Sequence, residues 1–205
     1  MNHSAIMRVL DWAYEKAISG ISGLDSAQQL AQSFMKQEGT AREKANSLIR
    51  WQNAKAGTSG FVTGIGGLIT LPVAIPANLA SVLYIQIRMI AAIAHMGGYD
   101  LRDEKVKTLV YMCLVGNFAK DILQETGIRL GTKFTAMAFE RISEKSLLII
   151  NQRVGFRLLA TSSTKGMINL GKAVPIVGGI IGGSIDVAAT NTIGNMARNT
   201  FLPKE

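Results

Sequence analysis

GTSGFVTGIGGLITLPVAIPANLASVLYIQIRM, residues 57–89, carries no charge until Arg88. It begins glycine-rich, breaks at Pro72 and Pro76, and is then apolar to its end. Three readings compete for it: a membrane span, a phosphate-binding loop, or the core of a helical protein.

Gly57, Gly60, Gly64 and Gly67 recur at steps of three and four, which places them on one face of a helix. A glycine costs about 1 kcal/mol relative to alanine inside a helix. Four on one face therefore point to close approach by another helix. Pro72 and Pro76 steer the residues before them away from helix and make a corner. A long apolar helix is predicted over 77–96, stopped by Gly97 and Gly98. A span takes about 20 mostly apolar residues. The 57–71 limb is too short, and the 77–96 limb holds Gln86, Arg88 and His95. An arginine at the bilayer centre costs about 2.5–3.5 kcal/mol even on the most lenient scale. The leading expectation is the core of a soluble or peripheral helical protein. A re-entrant hairpin hinged at the prolines comes second, and ordinary spans come last.

The phosphate-loop reading fails on detail. GIGG at 64–67 lacks the third glycine of a dinucleotide fingerprint and follows no predicted strand. GMINLGKA at 166–173 has nearly the P-loop spacing, but Ala173 stands where a hydroxyl must meet Mg²⁺.

The chemistry of the first glycine segment returns in GKAVPIVGGIIGGSIDVAATNTIGNMARN, residues 171–199. Gly178/Gly182 and Gly179/Gly183 form two overlapping GxxxG pairs, and Pro175 suits a first helical position. Between and before these segments the apolar residues keep helical spacing. Ile6, Val9, Leu10, Ala13 and Ala17 predict an amphipathic helix over 6–19. Asp25 or Ser26 can cap a second helix, and Thr40 with Glu43 has capping-box spacing for a third. Asp100 or Asp103 opens another after the glycine pair. Strand signals are weak throughout. The expected fold is all-α, a single helical domain packed around two glycine-rich apolar helical segments. Residues 1–39 supply N-terminal amphipathic helices, packed into one compact unit with residues 40–205.

At 205 residues the chain is long enough for one domain with a real core. Its 22 Lys+Arg against 14 Asp+Glu give a net charge of +8, which favours an acidic partner. The basic residues Arg141, Lys145, Arg153, Arg157, Lys165 and Lys172 are dispersed, and aromatics at 6% are few for stacking on bases. Anionic lipid therefore ranks ahead of nucleic acid, which is not expected as a partner. Cys113, the single cysteine, excludes an internal disulfide and reads as a buried inert thiol. Asp11 and Glu15 interrupt any signal-like apolar run near the start. The expected location is cytoplasmic, peripheral on the inner face of the membrane.

Tyr84, Arg88 and His95 fall close to one face of the 77–96 helix, and Asp186 sits in an equally apolar setting. A buried arginine needs a partner. The sequence thus predicts an Arg88–Asp186 ion pair tying the two glycine-rich helices together, with His95 nearby. That pair reads first as a core-specifying contact and second as a polar floor for a lipid headgroup or other ligand. Asp11/Glu15 and Asp121/Glu125 read as solvated helix faces rather than acid–base dyads. With two histidines and one cysteine, no metal site, cofactor or catalytic residue is indicated.

TGIGGLITLPVAIPANLASVLYIQIRMIAAIAHMGGYDL (63–101), with INQRVGFRLL (150–159) and KAVPIVGGIIGGSID (172–186), resembles the EcsC family of bacterial proteins. The resemblance spans roughly residues 40–200, so 40–205 is expected to be an EcsC-like helical domain. It implies a mainly helical protein and carries no established activity or catalytic residue. The family is named for a gene beside those of an ABC transporter. The expected function is reversible association with membrane, lipid or an apolar ligand through the glycine-rich helices. A membrane-inserting effector and an adaptor for a membrane-protein complex such as a transporter are the alternatives.

Overall fold

The computed structural model describes residues 2–56, 77–128, 139–162 and 183–203, with backbone alone at 56, 77–79, 161–162 and 183–187. The Gly57, Gly60, Gly64 and Gly67 face, Gly178, Gly179 and Gly182 lie outside the described residues. Gly183 is the first residue of the last helix.

Local chemistry places the helix starts. In α1 (His3–Ser19) the Asn2 carboxamide oxygen accepts from the Ala5 amide at 2.9 Å. The helix therefore begins three residues before its apolar periodicity becomes readable. Ser26 caps α2 (Ala27–Met35) in a reciprocal box with Gln29, at 3.2 and 2.8 Å. Thr40 and Glu43 make the predicted box at the head of α3 (Ala41–Ala56), at 3.3 and 2.8 Å. α4 (Ala77–Met96) ends at the glycine pair, as expected. Asp103 caps α5 (Glu104–Leu114). Gly116 at φ +56° then forces a short 3₁₀ turn, Gly116–Phe118, before α6 (Ala119–Thr126). The sequence pattern alone reads as unbroken helix there. α7 (Glu144–Ser162) and α8 (Gly183–Phe201) complete the described helices. Among the described residues the only bridge-type pairing is the isolated Ile21–Leu24 contact in the α1–α2 turn.

α4 is the axis of the fold. From Ala80 to Ala94 every residue except Val82 is buried, and α1, α2, α3, α5 and α8 all pack against it. A helix apolar on every side is stable in water only when neighbours enclose it. That enclosure accounts for its span-like composition. Among the described residues no helix is long and apolar enough to cross a membrane.

Three contacts fix the direction of α3 against α8. Arg42 reaches Asn199 and the carbonyls of Leu202 and Pro203, Arg198 bonds Asn46, and Ile49 packs at Gly194. The two helices are antiparallel. α4 and α8 run parallel, because Gln86 meets Thr190 and, eleven residues along both, Gly97 meets Phe201. The last turn of α3 and the first turns of α4 and α8 consequently lie at one end of the bundle.

Gly97 stands where the end of α4 meets the end of α8. A Cβ there would collide with the backbone carbonyl of Phe201 and press on the Tyr99 ring at 3.2 Å. Backbone cannot swing aside as a side chain can. Gly97→Ala is expected to lower stability by about 1–3 kcal/mol, read as a lower urea midpoint. An unchanged midpoint would refute the close approach.

Candidate functional site

The polar groups buried in the core sit on opposite sides of α4. On the α2 side, Arg88 is 2% exposed and its Nη1 donates to the Asp25 carbonyl at 3.1 Å. Its guanidinium lies 5.7 Å from the centre of the Tyr84 ring one turn earlier. Among the described residues, Arg88 Nε and the Tyr84 hydroxyl have no partner at hydrogen-bond distance. Burial pushes the Tyr84 hydroxyl above its ordinary range, and the Arg88 charge offsets part of that rise. Among the described residues no carboxylate stands within ion-pair distance of Arg88. The Asp186 side chain lies outside the described residues, and with it the expected Arg88–Asp186 pair. His95 lies two turns further along α4, half-buried.

On the other side, Gln86 Nε2 donates to Thr190 Oγ1 at 2.8 Å across to α8. The antiparallel register of α3 and α8 brings Gln52 to this level. Gln52 is fully buried, and among the described residues neither its amide atoms nor Gln86 Oε1 has a partner. The sequence reading passed over Gln52. A signal was present, since Gln52 continues the buried positions Ala45, Leu48 and Ile49 along one helix face.

Asp11, Glu104 and Glu125, outside this core, are held in structural contacts. Asp11 accepts from the Tyr111 hydroxyl and from Lys107 Nζ, each at 2.9 Å, and Lys107 also reaches Glu104 at 3.5 Å. Glu125 takes two bonds from Arg153, at 2.8 and 2.9 Å. Cys113 is buried, and burial pushes its thiol up to about 12, with a contact to the Thr200 hydroxyl at 3.5 Å. A thiol so placed stays neutral and unreactive at physiological pH. Among the described residues no group of three or more His, Cys, Asp or Glu side chains could hold a metal ion.

An enclosed apolar helix carrying an arginine, and a glutamine bonded across to α8, defines an all-α protein built around a buried axial helix. The chain belongs to the EcsC protein family, whose model matches residues 11–202. No curated protein and no solved structure shows significant similarity to it.

Two outcomes follow from these environments. Replacing Arg88 by methionine keeps volume and removes a desolvated charge. Stability should stay within about 1 kcal/mol or rise, whereas breaking a buried ion pair costs about 3–5 kcal/mol. Chemical denaturation of Arg88→Met separates the two, and a loss of the larger size would establish a carboxylate partner.

Burial also raises the Tyr14 and Tyr111 hydroxyls above their usual 10.0, with Asp11 adding to the rise at Tyr111. Cys113, Tyr14 and Tyr111 keep protons in the folded state that the unfolded chain releases. Their stabilisation is therefore complete below about pH 9 and is lost as pH rises above it, by up to about 1.4 kcal/mol per pH unit per group. Urea midpoints across the alkaline range should fall, less steeply in Tyr111→Phe. A flat profile would contradict the assigned burial.

Proposed function

We propose that this EcsC-family protein is a binding module rather than an enzyme. It associates reversibly with an anionic membrane surface on the cytoplasmic side and admits lipid or another apolar ligand through its glycine-rich segments. The observation that carries this reading is the common end of the bundle. α3 ends there, α4 begins there and α8 begins there. In sequence, residues 57–76 join α3 to α4, and an apolar stretch precedes Gly183 at the start of α8. Two uncharged, glycine-rich, proline-broken stretches thus connect to one pole of a protein with net charge +8.

Physical chemistry supports the pairing of apolar segment and basic surface. A Lys or Arg near an anionic bilayer contributes about 1 kcal/mol, and apolar insertion adds salt-resistant affinity. Arg88, with Tyr84 beside it, offers the core a cation for an acidic group.

Co-sedimentation with phosphatidylglycerol-containing and pure phosphatidylcholine vesicles across a salt series tests the reading. Binding to the anionic vesicles is expected to persist at high salt. A Leu68→Asp substitution should weaken it at least about tenfold, given the cost of placing a carboxylate in an apolar layer. Binding that vanishes with salt would reduce the contact to surface charge and overturn insertion. No binding at all would overturn the proposal in favour of an adaptor for a membrane-protein complex.

A further inference from the structure

The described core leaves three large hydrophobic side chains exposed, Met35, Leu148 and Phe156. Two of them share one helix. α7 buries Ile150, Val154 and Leu158 on its inner side, where it packs on α1, α5 and α6. On the opposite side Leu148 is 63% exposed and Phe156 61% exposed, eight residues apart, with the exposed Lys145 and Gln152 on the same face. A helix apolar on two opposite sides is usually covered on both. Phe156 is held in place, its ring 5.1 Å from that of His3 at a 47° tilt. Gly155, beside it, lets His3 pack directly on the α7 backbone.

Two exposed basic side chains flank this face, Lys145 on it and Arg153 beside it. Arg153 projects from α7 with its side chain 58% exposed and is braced by the two bonds to Glu125. Arg157 is turned away from this face, its guanidinium buried 3.3 Å over the Phe118 ring. α7 carries Lys145, Arg153 and Arg157 against one acid, Glu144. The exposed apolar area is small. A leucine and a phenylalanine together offer at most a few hundred Å², roughly, against about 800 Å² per partner in a stable protein interface. Two apolar anchors among basic residues suit shallow, reversible seating at a lipid headgroup layer instead.

We infer that the outer face of α7, anchored by Leu148 and Phe156 and flanked by Lys145 and Arg153, is the surface with which this protein seats on an anionic bilayer. The inference rests on the membrane association proposed above and assigns the first contact to α7 rather than to the glycine-rich pole.

The test compares wild type with a Leu148→Ser/Phe156→Ser double variant on phosphatidylglycerol-containing vesicles. Both side chains are exposed, so circular dichroism and the thermal midpoint should match wild type. Vesicle affinity should fall about tenfold or more as the apolar anchors are lost. A Phe156→Trp variant should gain fluorescence quenching by brominated lipid beyond the wild-type background of Trp12 and Trp51. Equal binding by wild type and the double variant would overturn the α7 assignment while leaving membrane association standing. Failure of wild type to bind would overturn both. A wild-type dimer dispersed by the double substitution would overturn the assignment by making this face a contact between copies.

Discussion

Enclosure of α4 is the constraint from which the rest of the structure follows. A helix with apolar residues all round has no face to give to water, so it must be wrapped. α1, α2, α3, α5 and α8 each supply part of the wrapping. Their own amphipathic patterns, with Ile6, Val9 and Leu10 on α1 or Leu30 and Phe34 on α2, are the complement of that demand. The parallel pairing of α4 with α8 leaves room for no side chain at Gly97, and the antiparallel pairing of α3 with α8 seats Ile49 at Gly194.

Enclosure also gives the polar residues of α4 their character. Gln86 and Arg88 cannot reach water, so each must be answered by a neighbouring helix or turn. Gln86 is answered by a hydroxyl on α8, and Arg88 by a main-chain carbonyl in the α1–α2 turn. Among the described residues, neither arrangement uses the full hydrogen-bonding capacity of the group. Buried polar groups left partly unused are destabilising, and the molecule retains them at the heart of an otherwise apolar core. Orientation is one benefit such groups bring, because an amide or guanidinium accepts fewer packings than a leucine would.

Local features were legible in the sequence because local chemistry causes them. The bounds of α4, the Thr40–Glu43 box, a cap at Asp25 or Ser26, and the glycine stop at 97–98 all depend on residues within one turn of each other, and the structure settles the cap on Ser26. Family membership was legible from the proline corner and the QIRM and IAH residues that follow it. Other features depend on partners remote in the chain. Arg88 calls for a counter-group, and a backbone carbonyl bears no signature of its own, so nothing in the sequence could indicate the Asp25 carbonyl that it meets. The 3₁₀ break at Gly116 arises where the chain must turn beneath α8, with Thr192 only 3.2 Å from where a Cβ would stand. Helical periodicity runs straight through it.

The parallel arrangement of α4 and α8 has a consequence for how the molecule comes into being. Parallel neighbours cannot be joined by a short turn, and here the contact between Gln86 and Thr190 spans 104 residues. A ribosome adding about 5–20 residues per second would hold the α4 side of that groove uncovered for about 5–20 s before α8 emerges. During that interval the most apolar of the described helices is synthesised but not yet fully enclosed, and a nascent-chain chaperone has its natural point of engagement there.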